Sequence, residues 1–112
     1  MNNKVILLTA DTFGKGEAEL GETVLETFVT LLKQRDEKPI AIFCMNRGVL
    51  TLTPRSLVSV HMKELEEAGV RVLACKTCVD YYGVADELLA GEISGMPIFL
   101  ELADKYEVIT IS

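Results

Sequence analysis

Short apolar runs of strand length alternate with stretches of helical periodicity along the whole chain, and this alternation most narrows the fold. Lys4–Ala10 carries Val5, Ile6, Leu7 and Leu8 without a polar break, as a strand covered on both faces requires. Pro39 to Cys44 or Met45, Val70–Ala74 and Val108–Ile111 read the same way, and Gly91–Ile93 fits a very short further strand. Between them, Leu20, Val24, Phe28, Leu31 and Leu32 recur at helical spacing within Glu17–Lys33 and predict one apolar stripe. Glu17, Glu19 and Glu22 crowd the start of that helix, where the backbone dipole favours negative charge. A second helix is predicted from about Arg55 to Ala68, with Leu57, Val58, His61, Leu65 and Ala68 inward and Gly69 as its stop. Met96-Pro97 opens a last helix ending near Tyr106. Val49–Thr53 reads as irregular, and Cys75–Gly83 as a polar turn or the start of a short helix.

Strands alternating with helices imply βαβ units and a parallel sheet between helical layers, a three-layer α/β/α architecture. The 112 residues suit one domain spanning 1–112. In open parallel sheets ligands and chemistry gather beyond the carboxyl ends of the strands. Those ends are Asp11–Gly16, Cys44–Gly48 and Cys75–Tyr82, and two of these segments carry cysteine.

Charge and composition remove several function classes. A net charge of −6 repels phosphate backbones and anionic lipid, and the absence of Trp disfavours base stacking; neither nucleic acid nor membrane is expected as a partner. No run approaches the roughly 20 apolar residues of a membrane span. Val5–Leu8 is too short for the hydrophobic region of a signal peptide, so a cytoplasmic location is expected. In such a reducing compartment the three cysteines, Cys44, Cys75 and Cys78, are core filler, metal ligands or chemistry rather than a disulfide framework.

The segment Cys75-Lys76-Thr77-Cys78-Val79-Asp80 follows directly on a predicted buried strand. A thiolate there would be the nucleophile; Lys76 favours it and Asp80 opposes it. As core filler the pair would be two small hydrophobes, but Lys76, Thr77 and Asp80 are poor core residues. Structural zinc would need Cys44 and His61 as further ligands, with no second paired motif, so no metal or other cofactor is expected. A thioredoxin-like pair normally follows an early strand in a Cys-Gly-Pro-Cys setting, unlike Lys76-Thr77 here. Gly14-Lys15-Gly16 matches neither the phosphate loop nor the dinucleotide fingerprint, since position 19 is Glu, and reads as a turn. Asn46 and Arg47 close the second strand on the same rim and are candidate contacts for an anionic sulfur species or substrate, as is Lys76.

The element order, with Val-x-x-Cys-Lys-Thr-Cys after the third strand, resembles the DsrE-like family of small sulfur-relay proteins. Gly14–Gly21, Asn46-Arg47-Gly48-Val49, Cys75–Gly83 and Gly91–Met96 carry the match. The resemblance implies a five-stranded parallel sheet and assembly into trimers or hexamers, with a dimer as a further option. It also implies that Cys75 carries sulfane sulfur as a persulfide between a donor and an acceptor protein. Cys78 would then release the terminal sulfur through a Cys75–Cys78 disulfide or hold the carrier thiol by a hydrogen bond. Two rivals remain open: a non-catalytic oligomeric binding module with structural cysteines, and a Cys75–Cys78 thiol–disulfide oxidoreductase. The carrier reading requires a thiol that is reachable at the rim of the sheet.

Overall fold

Lys4–Leu8 (β1), Ala41–Cys44 (β2), Arg71–Cys75 (β3), Glu92–Ser94 (β4) and Glu107–Ile111 (β5) are the strands of the computed structural model, which describes residues 1–112. The helices are Ala18–Gln34 (α1), Ser59–Glu67 (α2), Lys76–Tyr82 (α3) and Met96–Lys105 (α4), with short 3-10 segments at Asn46–Leu52 and Ala85–Glu87. All strand pairs are parallel, in the order β4-β3-β2-β1-β5. The chain steps outward from β1 to β4, then returns across the whole sheet to β5. Right-handed crossovers require that a reversal of travel move the connecting helix to the opposite face. The two cores agree. Ile6, Leu8, Ile42, Val72 and Ala74 pack with Leu25, Val29, Met62 and Leu65 of α1 and α2, while Val5, Phe43 and Leu73 pack with Leu102 of α4. The Phe43 and Phe99 rings meet at 5.2 Å on this second face.

The helices are placed as predicted but rotated or trimmed by local contacts. In α1 the buried residues are Gly21, Leu25, Val29 and Leu32, whereas Leu20, Val24 and Leu31 of the predicted stripe are exposed. Gly21 explains the rotation: a Cβ there would lie 2.7 Å from the Thr12 Cβ, so only glycine admits this close approach, and residues at helical spacing from it turn inward with it. α2 starts at Ser59 instead of Arg55. Thr53 Oγ1 accepts the Arg55 N–H at 3.2 Å and Ser56 Oγ accepts the Val58 N–H at 3.2 Å, side-chain turns that compete with helix. Leu57 and Ala68, predicted inward, are consequently exposed, and Met62 takes the core position. His61 is half-buried, its Nε2 3.4 Å from Glu26 of α1.

One glycine ties two strand exits together. Met45 donates its N–H to the Leu8 carbonyl at 3.0 Å, and a Cβ on Gly48 would lie only 2.1 Å from that same oxygen. Gly48→Ala is therefore expected to cost about 3 kcal/mol through forced backbone displacement, read as a lower urea midpoint. Gly16→Ala, where a Cβ meets nothing within 4 Å, should stay within about 0.5 kcal/mol of the parent.

Candidate thiol site

β3 runs one residue further than the apolar pattern predicts and ends on Cys75, paired with Ser94 of β4. Side chains alternate across a strand, so Ala74 faces α1 and α2 while Leu73 and Cys75 face α4. Cys75 is only 7% exposed and belongs to the α4-side core with Phe43, Leu73 and Leu102. The expectation of an open carrier thiol at this position is thus corrected: the residue ends the strand at the rim, but the pleat turns its side chain inward. Cys44 is opposite Ala74 in register and belongs to the other core. Although β2 and β3 are neighbours, Cys44 and Cys75 leave the sheet on opposite faces and cannot share a metal. Burial pushes the Cys44 thiol up to about 12, against a partly opposing hydrogen bond with Thr51.

Cys78 is the thiol that reaches the surface. The chain leaves β3 directly into α3, which places Cys78 on the first turn, half-buried and packed against both cores. Its Sγ accepts the backbone N–H of Asn46 at 3.0 Å, with Asn46 Oδ1 at 3.9 Å. Asn46 lies in the left-handed region, φ 51°, a conformation that Asn adopts more readily than most residues. That kink, together with the close approach at Gly48, aims the amide at the sulfur. Desolvation raises the Cys78 pKa above its ordinary value; the Asn46 N–H opposes this, and a side-chain hydrogen bond with Cys75 and the charge of Cys75 add to it. The two sulfurs therefore act as one interacting pair. Cys78 opens into a cleft of about 290 Å³ lined by Asn46, Thr77, Tyr81 and Tyr82, whose two tyrosine rings meet edge to face at 5.2 Å.

Neither predicted cation is free. Arg47 forms a fork with Asp11, Nε to Oδ1 at 3.2 Å and Nη2 to Oδ2 at 3.0 Å. Hydrogen bonding and charge from Asp11, with a smaller contribution from Tyr82, raise the guanidinium pKa further. Lys76 is held by Asp80 at 2.7 Å, one helical turn away. Of the residues singled out on this rim, Asn46 is the one that touches the Cys78 sulfur, closely with its main-chain N–H and at longer range with its side-chain oxygen. An Asn followed two residues later by Gly at a strand exit is the sequence signal for such a kink; that the amide meets Cys78 could not be read from it. A second, polar crevice of about 620 Å³, which includes Asp11, Lys15 and Arg47, shares Asn46 with the thiol cleft.

Fold and site define a small parallel α/β protein with paired thiols at a strand exit. The chain belongs to the DsrE/DsrF-like family, whose profile matches residues 4–111, a family associated with sulfur relay. The structure of YchN from E. coli is similar over 99% of this chain and 100% of that one, with 20% identity and a TM-score of 0.73. MTH1491 from Methanobacterium thermoautotrophicum, described as of unknown function, shares 21% identity over 96% of each chain with a TM-score of 0.66. BT1422 from Bacteroides thetaiotaomicron, described in the same way, shares 19% identity over 98% of this chain and 96% of that one with a TM-score of 0.67. At these identities the likeness is one of fold. No curated protein matches. No helix is long and apolar enough to cross a membrane.

The geometry predicts the order of thiol reactivity. Under native conditions iodoacetamide should modify Cys78 first, with Cys75 and Cys44 protected until unfolding, as peptide mapping would show. The Cys78 rate should rise with pH through a midpoint above the ordinary thiol range. Removing the Cys75 contribution in Cys75→Ala should lower that midpoint, because the hydrogen bond and charge it supplies both raise the pKa.

Proposed function

We propose that this protein is a sulfur carrier that holds sulfane sulfur as a persulfide on its Cys75–Cys78 pair and passes it to a partner thiol. Sulfur enters at Cys78, the thiol that lines the cleft, in place of the Cys75 carrier that the family resemblance implies. The observation that carries this reading is the Asn46 N–H on Cys78 Sγ at 3.0 Å, at the mouth of an open cleft. A carrier thiol must attack a sulfane donor and later depart as a thiolate when an acceptor takes the terminal sulfur. A fixed amide donor favours the thiolate form that attacks and stabilises the charge that returns to Sγ as it departs. Arg47 and Lys76, neutralised by Asp11 and Asp80, act on the surroundings of the cleft instead of on the sulfur.

Donor and acceptor are thiol-bearing proteins that reach Cys78 past Tyr81, which is 83% exposed. Ile93 on β4, the edge neighbour of β3, and Met96 at the start of α4, also exposed, add apolar surface. Self-association belongs to the same reading: Leu57 and Val60 near the start of α2 leave apolar surface uncovered. A reducing cytoplasm is the compartment in which such free thiols persist.

Incubation with inorganic polysulfide followed by intact-mass measurement tests the proposal. The parent protein should gain the mass of one sulfur atom, reversible by dithiothreitol. Cys78→Ser should gain none, and Cys44→Ala should load as the parent does. Absence of any adduct in the parent would refute the carrier reading. Turnover of general disulfides without an adduct would favour the oxidoreductase instead.

A further inference from the structure

The two cysteines are layered. Cys78 faces the cleft, while Cys75 is 7% exposed behind it, in the α4-side core with Phe43, Leu73 and Leu102. A folded partner cannot bring a thiol to Cys75. The reactive group nearest to Cys75 is Cys78: the residues stand at the end of β3 and on the first turn of α3, three positions apart, and Cys78 packs against the same α4-side core that holds Cys75. Cys44, the remaining thiol, lies on the other face of the sheet. This is an outer receiving thiol with a sequestered thiol at its back, and no free cation holds a terminal sulfur in place, since Arg47 and Lys76 are both bound to carboxylates.

Building on the carrier reading above, we infer that the protein also has a hydrogen-sulfide-releasing activity, in which Cys75 discharges the persulfide on Cys78 whenever no acceptor thiol occupies the cleft. Cys75 Sγ attacks Cys78 Sγ. The bond between Cys78 Sγ and the terminal sulfur breaks, and that sulfur takes the bonding electron pair and the proton released by the Cys75 thiol. It leaves as hydrogen sulfide, and a Cys75–Cys78 disulfide remains. The sulfane sulfur is reduced and the two cysteine sulfurs are oxidised, so the step balances without an external oxidant. A small dithiol or a dithiol protein returns the pair to its reduced state. The Asn46 amide on Cys78 Sγ draws electron density from the sulfur under attack. The placement of Cys75 makes the reaction intramolecular, while an external thiol must first enter the cleft. Delivery to an acceptor and release of sulfide thus compete for one persulfide, and occupancy of the cleft decides between them.

The experiment loads the full chain with inorganic polysulfide, removes the donor by desalting, and confirms the bound sulfur by intact mass before a timed chase without thiol. Mass and free sulfide, the latter by a fluorescent sulfide probe, are then followed together. The parent protein should lose its sulfur, release one equivalent of sulfide, and finish with an internal disulfide, two hydrogens lighter than the reduced chain. Cys75→Ala and Cys75→Val, chosen so that one packs if the other does not, should each still take one sulfur on Cys78, at a rate of their own, with the chase started only from chains whose intact mass shows the adduct. Each should then hold the sulfur at least about tenfold longer, the margin expected for removing an intramolecular thiol. Loss of sulfur at equal rates in parent and variants would overturn the inference, as would sulfide release without the disulfide. Failure to load at the first step would refute the carrier reading, and with it the inference, and is distinguishable because loading is measured before the chase.

Discussion

The site depends on the contact between the backbone at Gly48 and the carbonyl of Leu8. Two adjacent parallel strands end level, Leu8 opposite Cys44, and the chain leaving β2 must cross the end of β1 without a side chain in the way. Met45 bonds to the same carbonyl and Asn46 takes the left-handed conformation. The result is a knuckle whose amide at residue 46 meets Cys78 on α3. A Cβ at residue 48 would push this knuckle off the sheet and remove the sulfur's hydrogen-bond donor.

The pleat supplies the second constraint. Because side chains alternate across β3, the residue that ends the strand is turned into the α4-side core, and the outward thiol falls to the helix that follows. Two thiols near one rim thereby acquire different environments: one without access to partners, the other half-buried, amide-bonded and open to a cleft. A hydrophobic shell behind an accessible sulfur closes the inner thiol to solvent, leaving it 7% exposed. The charged groups near the cleft are arranged as neutral pairs, Arg47 with Asp11 and Lys76 with Asp80. Stabilisation of charge on Cys78 then comes from a fixed main-chain dipole instead of a mobile cation.

Much of the architecture was legible from the pattern of residues. Unbroken apolar runs at Lys4, Pro39, Val70 and Val108, with helical spacing between them, gave the parallel α/β class, and the family resemblance gave the five-strand count. The pattern misassigned helix faces where apolar residues cover a wide arc. Leu20, Val24 and Leu31 are as apolar as Leu25 and Val29, and the tight contact at Gly21 decides which set turns inward. It also started α2 too early, because the turns built by Thr53 and Ser56 compete with the first helical turn.

The order of residues set the chemistry available: paired thiols immediately after a buried strand, with an Asn-x-Gly turn at the neighbouring strand exit. Which thiol faces the cleft was decided by where β3 ends, since one residue in strand length reverses the direction of a side chain. What touches the outer sulfur was settled only by tertiary structure. Asn46 and Cys78 are distant in the chain, and their contact arises from strand adjacency and from the space left by a missing Cβ, neither of which has a local signature in the residues themselves.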